Sequence, residues 1–166
     1  MGDKFGIGQG VLREEDPRLL CGNGLFVNDV NLSGQAYAVL LRSPHAHADI
    51  GLIVTSLAKS MPGVLDVFVG EDVKADNLGV PGMPVKWQRP DGLPMKHRPQ
   101  PPLAIGRVRY VGDPVALIVA ETLAQAQDAA DAIRVEFTTL PSITDTEAAL
   151  GNGTPVVWDD YPDNVS

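Results

Sequence analysis

Seven prolines stand between residues 74 and 106: Pro81, Pro84, Pro90, Pro94, Pro99, Pro101 and Pro102. No other stretch of the chain restricts the backbone so strongly. Each proline withholds an amide donor and clashes with the preceding helical turn, so neither a helix nor a fully paired strand is expected there. A structureless run of this length inside a compact domain is usually functional or mobile. The segment reads as a long excursion between two halves of one domain. Val80, Met83, Val85, Trp87, Leu93 and Met95 give it more apolar surface than an idle solvated loop carries. That points to docking, on its own domain or on a partner.

Regular structure is expected on both sides. Residues 36–43 form a nearly continuous apolar run of strand length, ended by Pro44, and 49–54 and 64–69 read as further strands. A short helix over 55–61 is stopped by Pro62-Gly63, and one helical turn is expected around Pro17 within 13–20. Beyond the excursion, 107–111 and 114–120 read as strands. Thr122-Leu123-Ala124-Gln125 matches a capping box, with the Thr hydroxyl placed for the amide three residues on and Gln reaching back. Leu123, Ala126, Ala130 and Ile133 recur at spacings of three and four, predicting a helix from 123 to about 132 with one buried stripe. Val135 and Phe137 alternate in a returning strand, and 145–150 is a last short helix. The 114–138 region reads as a compact strand–helix–strand unit. Strand-rich and helical pieces segregate, so the fold class is α+β, with a mixed sheet and a few short helices.

The chain is 166 residues long, which suits one compact domain able to bury a core without disulfides or metal. Residues 1–12 read as a loose leader and 151–166 as a C-terminal linker. The net charge of −8 repels phosphate backbones and anionic lipid heads. Lys96-His97-Arg98 and Arg107-Val108-Arg109 are short basic runs without aromatic interleaving, expected as solvated loop and strand charges, so nucleic acid is excluded. No run approaches the roughly 20 apolar residues of a membrane helix, and no secretory leader is visible. The chain is expected in the cytoplasm, away from membranes.

Candidate chemistries fail one by one. His45 and His47 would share a face in an extended strand and could meet one metal, yet His97 is the only other histidine and lies in the excursion. Packing or hydrogen bonding is the expected role of the pair. Cys21 is the only cysteine. It has no visible activating partner, cannot supply an iron–sulfur cluster, and is expected as a small buried or half-buried thiol. Glu14-Glu15-Asp16 and Asp159-Asp160 are adjacent acids, expected as solvated turn residues. Gly6-Ile7-Gly8-Gln9-Gly10 lacks the strand and helix that a dinucleotide loop requires. No catalytic, cofactor-binding or metal-binding residue is identified.

Several motifs in fixed order carry a resemblance. Arg13-Glu14-Glu15-Asp16-Pro17-Arg18-Leu19-Leu20 with Gly22-Asn23-Gly24-Leu25-Phe26-Val27-Asn28-Asp29 resembles the opening of the molybdenum-binding large subunit in the xanthine dehydrogenase, aldehyde oxidase and carbon monoxide dehydrogenase family. Arg42-Ser43-Pro44-His45-Ala46-His47-Ala48, Met61-Pro62-Gly63-Val64 and Arg107-Val108-Arg109-Tyr110-Val111-Gly112-Asp113-Pro114-Val115-Ala116 are similar to further motifs of that family. Val119-Ala120-Glu121-Thr122, Leu140-Pro141 and Glu147-Ala148-Ala149-Leu150 continue in register. Cys21 and Asn23 depart from the pattern, where Thr or Ser and Arg are usual.

The resemblance implies an α/β-hammerhead fold over 13–150. It also implies that the regions binding molybdopterin dinucleotide and carrying the catalytic glutamate lie outside this chain. The whole enzyme would be an oxidoreductase using molybdenum, with iron–sulfur clusters and flavin on partner chains or domains. This segment would be non-catalytic, shaping the substrate funnel and contacting the remaining large-subunit domains and the iron–sulfur and flavin partners. The alternative is a free-standing hammerhead module for binding or assembly.

Overall fold

The computed structural model describes Gly10, residues 12–80, 87–96, Arg98 and residues 100–165. The chain divides into two compact units, Met1–Gln35 and Ala36–Ser166. In the first, Asp16–Leu20 form helix α1 with Pro17 in its first turn, where a missing amide hydrogen costs nothing. Gly22 follows at φ +72°, a left-handed conformation that glycine adopts without strain and that ends the helix. A 3-10 turn over Val27–Asp29 is held by the Phe26 amide donating to the Asp29 carboxylate at 2.9 Å. None of the described side chains of this unit is buried.

The second unit is built from β1 (Tyr37–Arg42), β2 (Ala48–Val54), α2 (Ser56–Lys59), β3 (Val64–Val69), α3 (Gly70–Ala75), β4 (Arg107–Val108), β5 (Pro114–Ala120), α4 (Leu123–Asp131) and β6 (Arg134–Thr139). The strands form two three-stranded sheets, ordered β1-β5-β3 and β4-β2-β6, and every pairing is antiparallel. β5 lies at the centre of the first sheet, which explains its unbroken apolar sequence. Ala120 faces Tyr37 on one side and Val64 on the other. A central strand with both faces covered has no polar positions to alternate.

Two apolar clusters form the core. Ala58, Val67, Ala116, Ile118, Ala120, Ala126, Ala129, Ala130 and Ile133 pack beneath α4. Ala48, Ala104, Val108 and Val115 make a smaller group beside the second sheet, and Ile53 and Val135 touch both groups. The alanines of α4 allow a close approach to the first sheet. Gly63 is equally constrained, because at φ +77° a Cβ there would fall 2.1 Å from the Gln125 side chain.

The α+β architecture, the bounds of β3 and β5 and the position of α4 agree with expectation. Several details differ for physical reasons. The 114–138 region is not a unit of one sheet: both edges of β5 are taken by β1 and β3, so β6 pairs with β2 instead. The buried stripe of α4 runs through Ala126, Ala129 and Ala130, while Leu123 is half exposed. Gln125 donates its amide to Thr122 Oγ1 at 3.3 Å, and its side chain meets the Thr hydroxyl rather than the cap's amide.

The strand expected over 107–111 ends at Val108. The Arg109 amide donates to Asp113 Oδ2 at 2.9 Å, and Gly112 at φ +89° completes a turn. The helix expected over 145–150 is a 3-10 turn at Ala148–Leu150.

The excursion is more structured than its prolines suggest. α3 includes residues 74 and 75, because the Asp72 carboxylate accepts the Val69 amide hydrogen at 2.7 Å and caps the turn. Residues 87–95 make a small hairpin through a bridge between Gln88 and Pro94. Leu103 and Ala104 are buried. Val80, Trp87 and Leu93 are exposed, whereas Met83 and Val85 lie outside the described residues.

Candidate functional site: a cationic cleft beneath the C-terminal segment

A concavity of the second unit lies between β4 with the turn that follows it, the end of the excursion, and residues 157–158. It has a volume of about 430 Å³. Three arginines line it, Arg98, Arg107 and Arg109, together with Tyr110, Asp113 and Trp158. These residues meet because the C-terminal segment packs along the excursion and β4. Asn164, at φ +54°, pins that segment: its side-chain oxygen accepts from the Val157 amide at 3.1 Å, and its amide nitrogen donates to the carbonyls of Pro155 and Ala149.

The arginines are held differently. Arg107 Nε donates to Asp49 at 2.6 Å, and its Nη1 reaches both Asp159 oxygens at 3.0 Å. Asp49 above all holds the Arg107 proton more tightly than usual, against the cost of burial. Arg109 lies 3.8 Å over the Trp158 ring and donates to the Arg107 carbonyl at 3.2 Å. Burial pushes its guanidinium below the ordinary value, and the charge of Arg107 adds to the effect. Arg98 donates to the Asn164 carbonyl at 2.9 Å and lies 5.3 Å from the Tyr161 ring centre. Burial raises the Tyr110 phenol, and the charge of Asp113 acts in the same direction. Beside the cleft, Arg89 is buried and paired with Asp163 and Asp91, and it donates to the Val165 carbonyl at 3.1 Å.

The basic runs are therefore not simply solvated charges, as the sequence suggested. Lys96 and Arg98 both approach Tyr161, and Arg107 and Arg109 line the cleft. Nor is Asp159 merely a solvated turn residue, since it clamps Arg107. Glu15 and Asp16 do lie at the surface near Arg13. Cys21 is exposed rather than buried, because it caps the end of the short helix α1, none of whose residues is buried.

His45 and His47 do not share a strand face, since they fall in the bend after Pro44 and before β2. His45 packs edge-on to Phe137 at 5.0 Å between centroids. His47 is buried, with Nδ1 2.8 Å from the Pro141 carbonyl and, among the described residues, no partner for Nε2. His97 and residues 6–9 of the glycine run lie outside the described residues. Among the described residues, no three His, Cys, Asp or Glu side chains gather as metal ligands. Also among them, no helix is long and apolar enough to cross a membrane.

The fold and the order of its motifs define a class, and comparison with known proteins agrees. Residues 21–141 match the family described as aldehyde oxidase and xanthine dehydrogenase, a/b hammerhead domain. The chain belongs to that family. It is 41% identical over 159 residues to the nicotine 6-hydroxylase large subunit of Paenarthrobacter nicotinovorans, covering 96% of this chain and 19% of that protein. It superposes on quinoline 2-oxidoreductase from Pseudomonas putida 86 with a TM-score of 0.78 at 40% identity, covering 92% of this chain and 19% of the other. A Cu,Mo-CO dehydrogenase structure gives a TM-score of 0.74 at 33% identity, over 93% of this chain and 18% of the other. The chain thus spans about a fifth of the length of the relatives it matches.

The metal centres implied by this family find no fitting donor set among the described residues. The one thiol is exposed on a helix end, and of the two described imidazoles one has Nδ1 committed to a carbonyl while the other packs on a ring. Sequence reasoning missed Arg89, Trp158, Asp163 and Asn164. The only available signal was the aromatic and acidic composition of residues 158–164.

Proposed function

We propose that this chain serves as the hammerhead segment of the large subunit of a cytoplasmic molybdenum hydroxylase and contributes no reacting group itself. Its role is to shape the approach to the substrate and to seat against the remaining large-subunit domains and the iron–sulfur and flavin partners. The observation that carries this reading is the match of nearly the whole chain to about a fifth of much longer oxidoreductases.

The chain purified alone is expected to hold no stoichiometric molybdenum, iron or flavin, by elemental analysis and visible absorption. Stoichiometric molybdenum or an iron–sulfur band would overturn the proposal. A second reading, a free-standing binding or assembly module, draws on the closed core of the second unit. Co-expression with the remaining four-fifths of a related large subunit separates the two. A stable complex on gel filtration supports the segment, and independent elution supports the module.

A further inference from the structure

We propose that the cleft between β4 and the C-terminal segment binds an organic carboxylate with a compact apolar body, held between the guanidinium groups of Arg98 and Arg109. The argument begins with which charges are already compensated. Arg89 has Asp91 and Asp163, and Arg107 has Asp49 and Asp159. Arg98 and Arg109 line the cleft, and among the described residues neither has a carboxylate within ion-pair distance. They are held by one backbone carbonyl each and by aromatic faces. A stacked guanidinium keeps its hydrogen-bonding edge, and a carbonyl carries only a partial charge, so the planar fork that suits a carboxylate stays unmatched.

Two further observations point the same way. The Nε–H groups of Arg98 and Arg109 have no acceptor among the described residues and are closed to water, so a carboxylate in the cleft meets the Nη groups first and reaches Nε–H only as the side chains turn toward it. Native proteins rarely leave such donors without a partner. Among the described residues, the only acid lining the cleft, Asp113, is itself buried and spends Oδ2 on the backbone amide of Arg109. Burial, and then the neighbouring Arg107, disfavour the charge on Arg109 and outweigh the support it draws from Asp113, Asp159 and Asp49, so an anion placed directly on its fork would add to that support.

The rest of the wall selects among anions. Pro101, Ile105, Val157 and the half-exposed Tyr110 line the cleft alongside the arginines. Its volume of about 430 Å³ falls in the range of small-molecule sites. Inorganic phosphate has no apolar part to offer these residues. A carboxylate on a ring or branched chain satisfies both halves of the wall. The overall charge of −8 gives no long-range attraction for such a ligand, so recognition rests on the local donors.

The test follows the arginine Nε–H and tryptophan indole resonances of the ¹⁵N-labelled chain during titration with benzoate, acetate and inorganic phosphate at constant ionic strength. Benzoate is expected to shift the Arg98, Arg109 and Trp158 signals saturably, with acetate about tenfold weaker or worse for lack of an apolar body. Arg98→Lys keeps the charge but removes the fork, and is expected to weaken benzoate about tenfold. Arg109→Lys is expected to do the same. An unchanged amide spectrum away from the cleft shows that each variant is folded, and the Arg98 variant suffices if Arg109→Lys unfolds. Linear, unsaturating shifts with benzoate, tighter binding of phosphate than benzoate, or full benzoate affinity in folded Arg98→Lys would each overturn the proposal.

Discussion

At the scale of single residues, the most consequential contact is the pairing of Arg89 with Asp163. Arg89 is only 8% exposed, and a guanidinium so withdrawn from water is tolerated only when carboxylates and carbonyls replace the lost solvent. Asp91, Asp163 and the Val165 carbonyl do so. The Arg89 hydrogen bond holds the Asp163 carboxyl down to about 2, from an ordinary value of 3.8. A carboxyl with a depressed folded-state pKa contributes stability that is present above its unfolded value and is lost as pH falls through the folded one. The melting temperature is therefore expected to drop as pH is lowered from 3.8 towards about 2. Asp66, lowered by the Val67 amide and then by Lys59, gives part of the same slope. Asp163→Asn should lower the melting temperature at neutral pH and flatten only the Asp163 share, as read from melts of both proteins across this range. An acid slope identical in the two proteins would show that the pair contributes nothing to stability.

At the scale of elements, β5 and α4 dominate. Ile118 has no exposed surface, faces Val39 and Val67 across the two ladders of the first sheet, and belongs to the cluster beneath α4. Ile118→Ala removes buried carbons at a position closed on every side. A loss of about 2–5 kcal/mol is expected in denaturant unfolding. The Thr122 cap at the start of α4 is worth less, about 1 kcal/mol, because it satisfies one amide at the surface. A loss below about 1 kcal/mol for Ile118→Ala would mean that the first sheet is not the centre of the core.

At the scale of the second unit, the C-terminal segment acts as a clasp. Asp159 reaches Arg107 in β4, Asp163 reaches Arg89 in the excursion, and Trp158 and Tyr161 lie under Arg109 and Arg98. These contacts hold a proline-interrupted stretch whose described hairpin pairs Arg89 with Leu93 and Met95 with Trp87. Truncation after Thr154 should free the 87–98 region and leave Arg89 without Asp163. Tryptic cleavage after Lys96 is expected to accelerate, because proteolysis tracks the population of locally opened chain. An unchanged cleavage rate would show that the excursion is held by the sheets alone.

Much of this architecture follows from local pattern. The apolar run at 114–120 specified a strand, Val64 to Val69 a shorter one, and Thr122 the start of α4, because side-chain period and capping act between near neighbours. The ordered motifs around Pro44, Gly63 and Gly112 sufficed to point to the family. The sheet partners were not legible in the same way. β6 joins β2 because β1 and β3 already occupy both edges of β5, a competition that no local period records. The cleft was hidden for a related reason. Its pairs join residues 52 and 74 positions apart, Arg107 with Asp159 and Arg89 with Asp163. Charged residues in loops carry no periodicity to announce a partner. Short-range sequence determined which segments could be strands and helices; only the tertiary structure decided which strands share a sheet, which arginines are neutralised, and which two are left facing an open cleft.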